Sequence, residues 1–126
     1  MADASANTNA YMAIIVNRLR GVGNEPKYIG WGTGTTPPVS SNTGLETPAA
    51  EARILGATTS QTTTNAGDTH QVVGTMYCSG SGKSISEVGL FDATTAGNMA
   101  IRATFDAIAL AVSEGIAFTI KTVFNP

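Results

Sequence analysis

The chain has 126 residues, a net charge of -2 and only 13% charged residues. That length fits one domain able to bury a core without metals or disulfides, while the charged fraction is about half the usual one. Seven Lys and Arg spread along the chain form no basic stripe for a nucleic acid. Apolar runs such as Met12 to Val16 fall far short of the roughly 20 residues of a membrane helix.

In chain order, Tyr11, Ile14, Ile15 and Leu19 recur at i, i+3, i+4 and i+8 and predict a helix over about residues 7–20. The flank upstream of it, Asp3 through Asn9, carries no positive charge, against a secretory signal. Thr8 or Asn7 supplies its cap, and Gly21 and Gly23 its left-handed stop. Met12, Val16 and the neighbouring alanines widen the apolar stripe, so the helix is expected to be buried over much of its circumference, by its own domain or by a neighbour. After Pro26, Lys27 to Trp31 (KYIGW) reads as a strand. Residues 32–48, from Gly32 to Pro48, form a long turn-rich loop, either an exposed connection or a mobile arm that reaches a neighbouring subunit.

Residues 51–124 read as a β-rich body. Strands are expected at Arg53 to Ser60, Gln71 to Cys78, Ser84 to Phe91, Met99 to Phe105 and Ile116 to Phe124. In the last, Ile116, Phe118, Ile120 and Thr122 alternate with Ala117, Thr119, Lys121 and Val123, the period of a strand with one face on a core. Together these segments predict a mainly β single domain: an antiparallel β-sandwich, jelly-roll-like, with one N-terminal α-helix.

No constellation for catalysis emerges. Gly80-Ser-Gly-Lys-Ser84 has Tyr77 where a phosphate-binding loop needs its first glycine, and it runs into a strand rather than a helix, so it reads as a hairpin turn. Gly30-Trp-Gly-Thr-Gly34 has Pro37 in place of the third glycine of a dinucleotide fingerprint and reads as a turn. His70 has no second histidine or cysteine pair for a metal, and no nucleophile elbow accompanies it and Asp68; it is expected on a loop or strand edge. Cys78, the only cysteine, reads as a small buried or half-buried strand residue. Nothing brings together two of Glu87, Asp92, Asp106 and Glu114. The expectation is a protein that is not an enzyme and uses no cofactor, metal or small-molecule substrate.

Glu87 stands out because it lies between Ile85 and Gly89 in a half-buried segment, where an isolated carboxylate would cost several kcal/mol. It must face water or have a partner, with Arg102 or Arg53 as the choices. A cross-strand Glu87–Arg102 pair would fix the register of two strands.

The ordered series of an N-terminal apolar helix, Tyr28-Ile-Gly-Trp-Gly-Thr-Gly-Thr-Thr36, Glu51-Ala-Arg53, Ser86-Glu-Val-Gly-Leu-Phe-Asp-Ala93 and Gly97-Asn-Met-Ala-Ile-Arg-Ala103 resembles small virion proteins of tailed bacteriophages. It is most similar to capsid decoration, or cement, proteins, and the segment carrying Glu87, Gly89, Leu90, Phe91 and Asp92, followed by Arg102, also resembles N-terminal modules of phage tail-fibre proteins. The resemblance implies a compact β-sandwich, frequently a homotrimer, that assembles in the host cytoplasm onto the outer surface of the capsid. There it bridges copies of the major capsid protein, without nucleic acid or membrane. A tail, baseplate or tail-fibre adaptor component is the alternative. Ending at Pro126, directly after the last expected strand, favours a free-standing module. Tyr28, Trp31 and Tyr77 are the candidate interface anchors, because aromatic side chains concentrate at interface centres.

Overall fold

The computed structural model describes residues 3–124. They form β1 (Ala4–Asn7), α1 (Asn9–Leu19), β2 (Tyr28–Gly32), β3 (Ile54–Leu55), β4 (Ala57–Gln61), β5 (Thr69–Tyr77), β6 (Lys83–Phe91), β7 (Met99–Leu110) and β8 (Gly115–Val123). The period-two pattern of the last strand is realised. Phe118 and Thr122 are buried, Ile116 and Ile120 half-buried, and the four residues between and after them exposed.

Two antiparallel sheets result, one ordered β1-β7-β6-β2-β3 and the other β4-β5-β8. Ile29 and Trp31 of β2, Val88 and Leu90 of β6 and Ile101 of β7 pack with Val72 and Met76 of β5 and Phe118 of β8. Trp31 meets Phe118 edge-on, with ring centroids 6.4 Å apart. The fold is therefore a β-sandwich with an N-terminal helix. Trp31, 1% exposed, belongs to its core and is not an interface anchor. Tyr28 is half-buried, and Tyr77 is 63% exposed.

Several boundaries differ from the sequence reading. β1 arises in a segment, Ala-Ser-Ala-Asn, without apolar alternation, and forms because β7 offers it a partner through the Ala6↔Arg102 register. Gly56 divides the expected Arg53-to-Ser60 strand and carries the chain between sheets; a Cβ there would collide with Val72. The segment of Gly30 and Gly32 is strand β2, not a turn. Residues 78–82 join β5 to β6, which belong to different sheets, so the connection is a crossover and not a hairpin. His70 lies within β5, the central strand of its sheet, and not at an edge.

The helix also departs from expectation. Thr8 holds the N-cap position but makes no side-chain cap; its hydroxyl donates to the Met99 carbonyl, and its N–H bonds Ala100 O at 2.9 Å. Gly21 and Gly23 provide the stop, with φ of 76° and 72°. Only Tyr11 and Ile14 are buried, against the start of β7 and, through a 2.9 Å contact between the Tyr11 hydroxyl and Thr122 Oγ1, against β8. The helix closes one end of the sandwich with a narrow face, Ile15 half-buried beside it, and leaves Met12, Val16 and Leu19 in solvent.

Candidate functional site

Strand β6 is buried on both faces. Val88 and Leu90 point into the sandwich, which leaves Glu87, Gly89 and Phe91 on the outside of the larger sheet. Across the sheet, Gly30, Gly89 and Arg102 form one lateral row, and Gly32, Glu87 and Thr104 form the next. Glycines at 30, 32 and 89 leave this part of the outer surface without side chains. The loop of residues 33–48 lies down on it.

Glu87, fully buried, gathers that loop. Its Oε2 accepts from the N–H groups of Gly34 at 2.9 Å and Thr47 at 2.8 Å. Its Oε1 accepts from Glu46 N–H at 2.9 Å and from Arg102 Nε at 2.9 Å. Arg102, 1% exposed, donates further from Nη1 to the Thr36 carbonyl at 2.9 Å and to Asn42 Oδ1 at 3.3 Å. The Ser86 hydroxyl donates to Gly34 O at 2.8 Å, and Thr33 N–H to Thr47 O at 2.9 Å. The Glu87–Arg102 pair thus forms, but diagonally: Glu87 stands opposite Thr104, and Arg102 opposite Gly89. Besides joining β6 to β7, it ties down a loop that the sequence leaves open as either an exposed connection or a mobile arm.

Glu46 repeats the device on the loop itself. It accepts from the Thr36 hydroxyl and from the N–H groups of Thr36 and Thr35 at 3.1 and 2.8 Å. Those bonds, led by the Thr36 hydroxyl and helped by the nearby Arg102 charge, hold its carboxyl below the usual range.

The remaining motif residues brace the same face. The Arg53 guanidinium stacks on Phe91, 3.5 Å from the ring centroid, and donates to the carbonyls of Ala93 and Ala96 at 2.9 and 2.8 Å. Arg53 is therefore the partner of the β6–β7 turn and not of Glu87. Asp92 accepts from Asn98 N–H at 2.8 Å, and Ala96 and Gly97, at φ 51° and 67°, are the left-handed residues of that turn. Leu90 is a core residue. The spacing from Glu87 to Arg102 is that of a hairpin carrying an acid on one strand and its base on the other.

A groove of about 440 Å³ lies between residues 43–49 and the β6–β7 turn, with Arg53, Phe91 and Glu51 among its lining. Glu51 is 7% exposed and accepts from Trp31 Nε1 at 3.0 Å and Ser79 N–H at 2.9 Å, besides pairing with Lys83. Burial alone would raise its carboxyl, but Lys83 and these hydrogen bonds outweigh burial and hold it at about 2. A carboxylate so fully engaged is poorly suited to carry protons near neutral pH.

The other sequence candidates stand apart. Asp68 is held low by N–H groups of residues 63–65 and by the Thr69 hydroxyl, which closes the β4–β5 loop. Glu114 accepts from Ala111 N–H at 2.7 Å in the β7–β8 turn, and His70 Nε2 lies 3.5 Å from Glu25. Cys78 is buried just beyond β5. Among the described residues no group of three or more His, Cys, Asp or Glu is placed to hold a metal ion. No family model, no curated protein and no solved structure matches this chain. The roles of Glu46 and Glu51 were not legible in the sequence, since neither sits in an apolar segment that would demand a partner. Glu87 does, and that signal led to Arg102.

Proposed function

We propose that this chain is a virion structural protein that binds the outer surface of a tailed-phage capsid and stabilises the shell by bridging copies of the major capsid protein. The observation that carries this reading is the face α1 leaves uncovered. Met12, Val16 and Leu19, at i, i+4 and i+7, are 65%, 53% and 83% exposed, and Val22 follows at 46%. A helix apolar on nearly all sides is built for burial on more than one side, and a contiguous exposed apolar patch is a usual mark of a protein–protein contact. Here the patch sits on a weakly charged body whose longest loop is fastened by a buried ion pair. Such a body works by contact, and a shell offering many identical sites turns modest contacts into high avidity. The resemblance of the segments from Glu87 to Asp92 and from Gly97 to Arg102 to phage virion proteins supports the same role.

Quantitative mass spectrometry of virions, with heads separated from tails, tests it. Hundreds of copies travelling with heads is the expected result. A few copies travelling with tails would replace it with the tail, baseplate or tail-fibre adaptor role that the same segments also favour. Absence from both fractions would overturn both readings.

A further inference from the structure

Each sheet has two edges, and proteins guard such edges because unpaired backbone groups recruit other chains. Three of the four edge strands here are short: β1 has four residues, β3 two and β4 five, although β1 covers only Ile101–Thr104 of β7 and, among the described residues, no strand pairs with Phe105–Leu110 on that side. The fourth, β8, has nine. It pairs with β5 without a register shift from Gly115↔Tyr77 to Val123↔Thr69, so no bulge twists its free side away. It contains no proline and a single charge, Lys121. Among the described residues no strand pairs with its other side. Beside it, Phe105, Ile108, Ile116 and Phe118, together with Asp3 and Asp106, line a cleft of about 370 Å³.

We infer that β8 pairs antiparallel with β8 of a second copy across a two-fold axis through Thr119. What selects a second copy is the strand's complementarity to itself. With Thr119 opposite Thr119, all nine residues find partners. On the inward face Phe118 meets Ile120 and Ile116 meets Thr122; on the outward face Ala117 meets Lys121 and Gly115 meets Val123. Apolar side chains continue across the boundary, and the one lysine of each strand never meets its twin. The two small sheets merge into one of six strands, and the contact closes after two copies, as an isologous interface must. This pairing goes beyond the capsid role and does not depend on it.

Light scattering during gel filtration of the purified full chain, at tens of micromolar, reads the outcome. The expected mass is about 26 kDa, twice the chain's 12.9 kDa. Thr119 is exposed, so Thr119→Asp preserves the circular dichroism spectrum while setting two carboxylates face to face; the mass is expected to fall to that of one chain. Directly opposed residues on antiparallel strands lie about 4.5–5.5 Å apart at Cα, a span that a disulfide bridges. Thr119→Cys is therefore expected to cross-link on mild oxidation at least about tenfold faster than Ala117→Cys, whose partner is Lys121, while buried Cys78 stays out of the reaction. A monomeric or trimeric wild type overturns the inference. So does a dimer that persists in Thr119→Asp, or one in which the two cysteine variants cross-link at equal rates.

Discussion

Glu87 and Arg102 are charges taken almost wholly out of water, and such a pair survives only if nearly every lone pair and donor around it is used. Glu87 meets that demand with three backbone N–H groups and one guanidinium N–H, whereas Arg102 Nη2 makes no hydrogen bond among the described residues and has only the Glu46 carboxylate, 4.0 Å away. Glu87→Gln keeps the shape but removes the charge, leaves Arg102 buried without its counterion and turns an amide NH2 toward N–H donors. The expected cost is about 3–5 kcal/mol, read as a fall of roughly 10 °C or more in Tm. Adding Arg102→Met to Glu87→Gln is expected to cost less than the sum of the single changes, since both charges then leave together. A Glu87→Gln protein melting with the wild type would remove the pair from any account of stability. Glu51 adds a dependence on pH. Its carboxyl sits at about 2 in the fold against 4.5 in the free side chain, so its stabilisation is complete above the higher value and is lost as pH falls toward the lower. Asp68 and Glu46, also held low, act in the same direction. Tm is expected to be level from about pH 7 to 5 and to fall below about 4.5. Glu51→Gln should melt lower at neutral pH and lose less on acidification.

At the scale of elements, the loop of residues 33–48 and strand β6 are one unit, because a strand row of glycines gives the loop backbone room to lie flat. A Cβ at Gly32 would overlap the Thr47 carbonyl oxygen and come within 2.7 Å of Glu87 Oε2. Gly32→Ala is expected to lift the loop at a cost of about 1–3 kcal/mol. The Gly34, Glu46 and Thr47 amides would lose hydrogen-exchange protection, and proteases would cut the loop sooner, while amides shared by β5 and β8 stay protected. Unchanged exchange at those three amides would mean that the loop is held elsewhere. This unit also marks how far the sequence could be read. Glu87 in an apolar run demanded a partner, and β8 announced its face by alternation, because both signals are local. β1 carried no such signal, since its pairing comes from β7. Whether residues 78–82 close a hairpin or cross between sheets, and whether Trp31 faces a core or a neighbour, depended on which strands lie beside them. Local spacing does not encode that.

For the whole molecule, the deciding feature is that one end of the sandwich is covered by a helix with an apolar face to spare. Tyr11, Ile14 and the half-buried Ile15 seat α1, whereas Met12, Val16 and Leu19 are exposed and contribute little to the stability of the isolated chain. On the proposed capsid role their value lies in what covers them, because exposed aliphatic side chains gain about 25 cal/mol for each Å² removed from water. Val16→Asp combined with Leu19→Glu separates the two contributions. Both side chains are more than half exposed, and surface changes of this kind usually alter stability by no more than about 0.5 kcal/mol each, so Tm of the free protein should hardly move. Added to heads assembled without this chain, wild-type protein is expected to saturate the shell, whereas the double variant should bind at least about tenfold more weakly. Failure of the wild type to bind would count against the capsid role itself. Equal binding by both would keep that role but move the contact off the helix, with the fastened loop on the outer face of the larger sheet as the next surface to test.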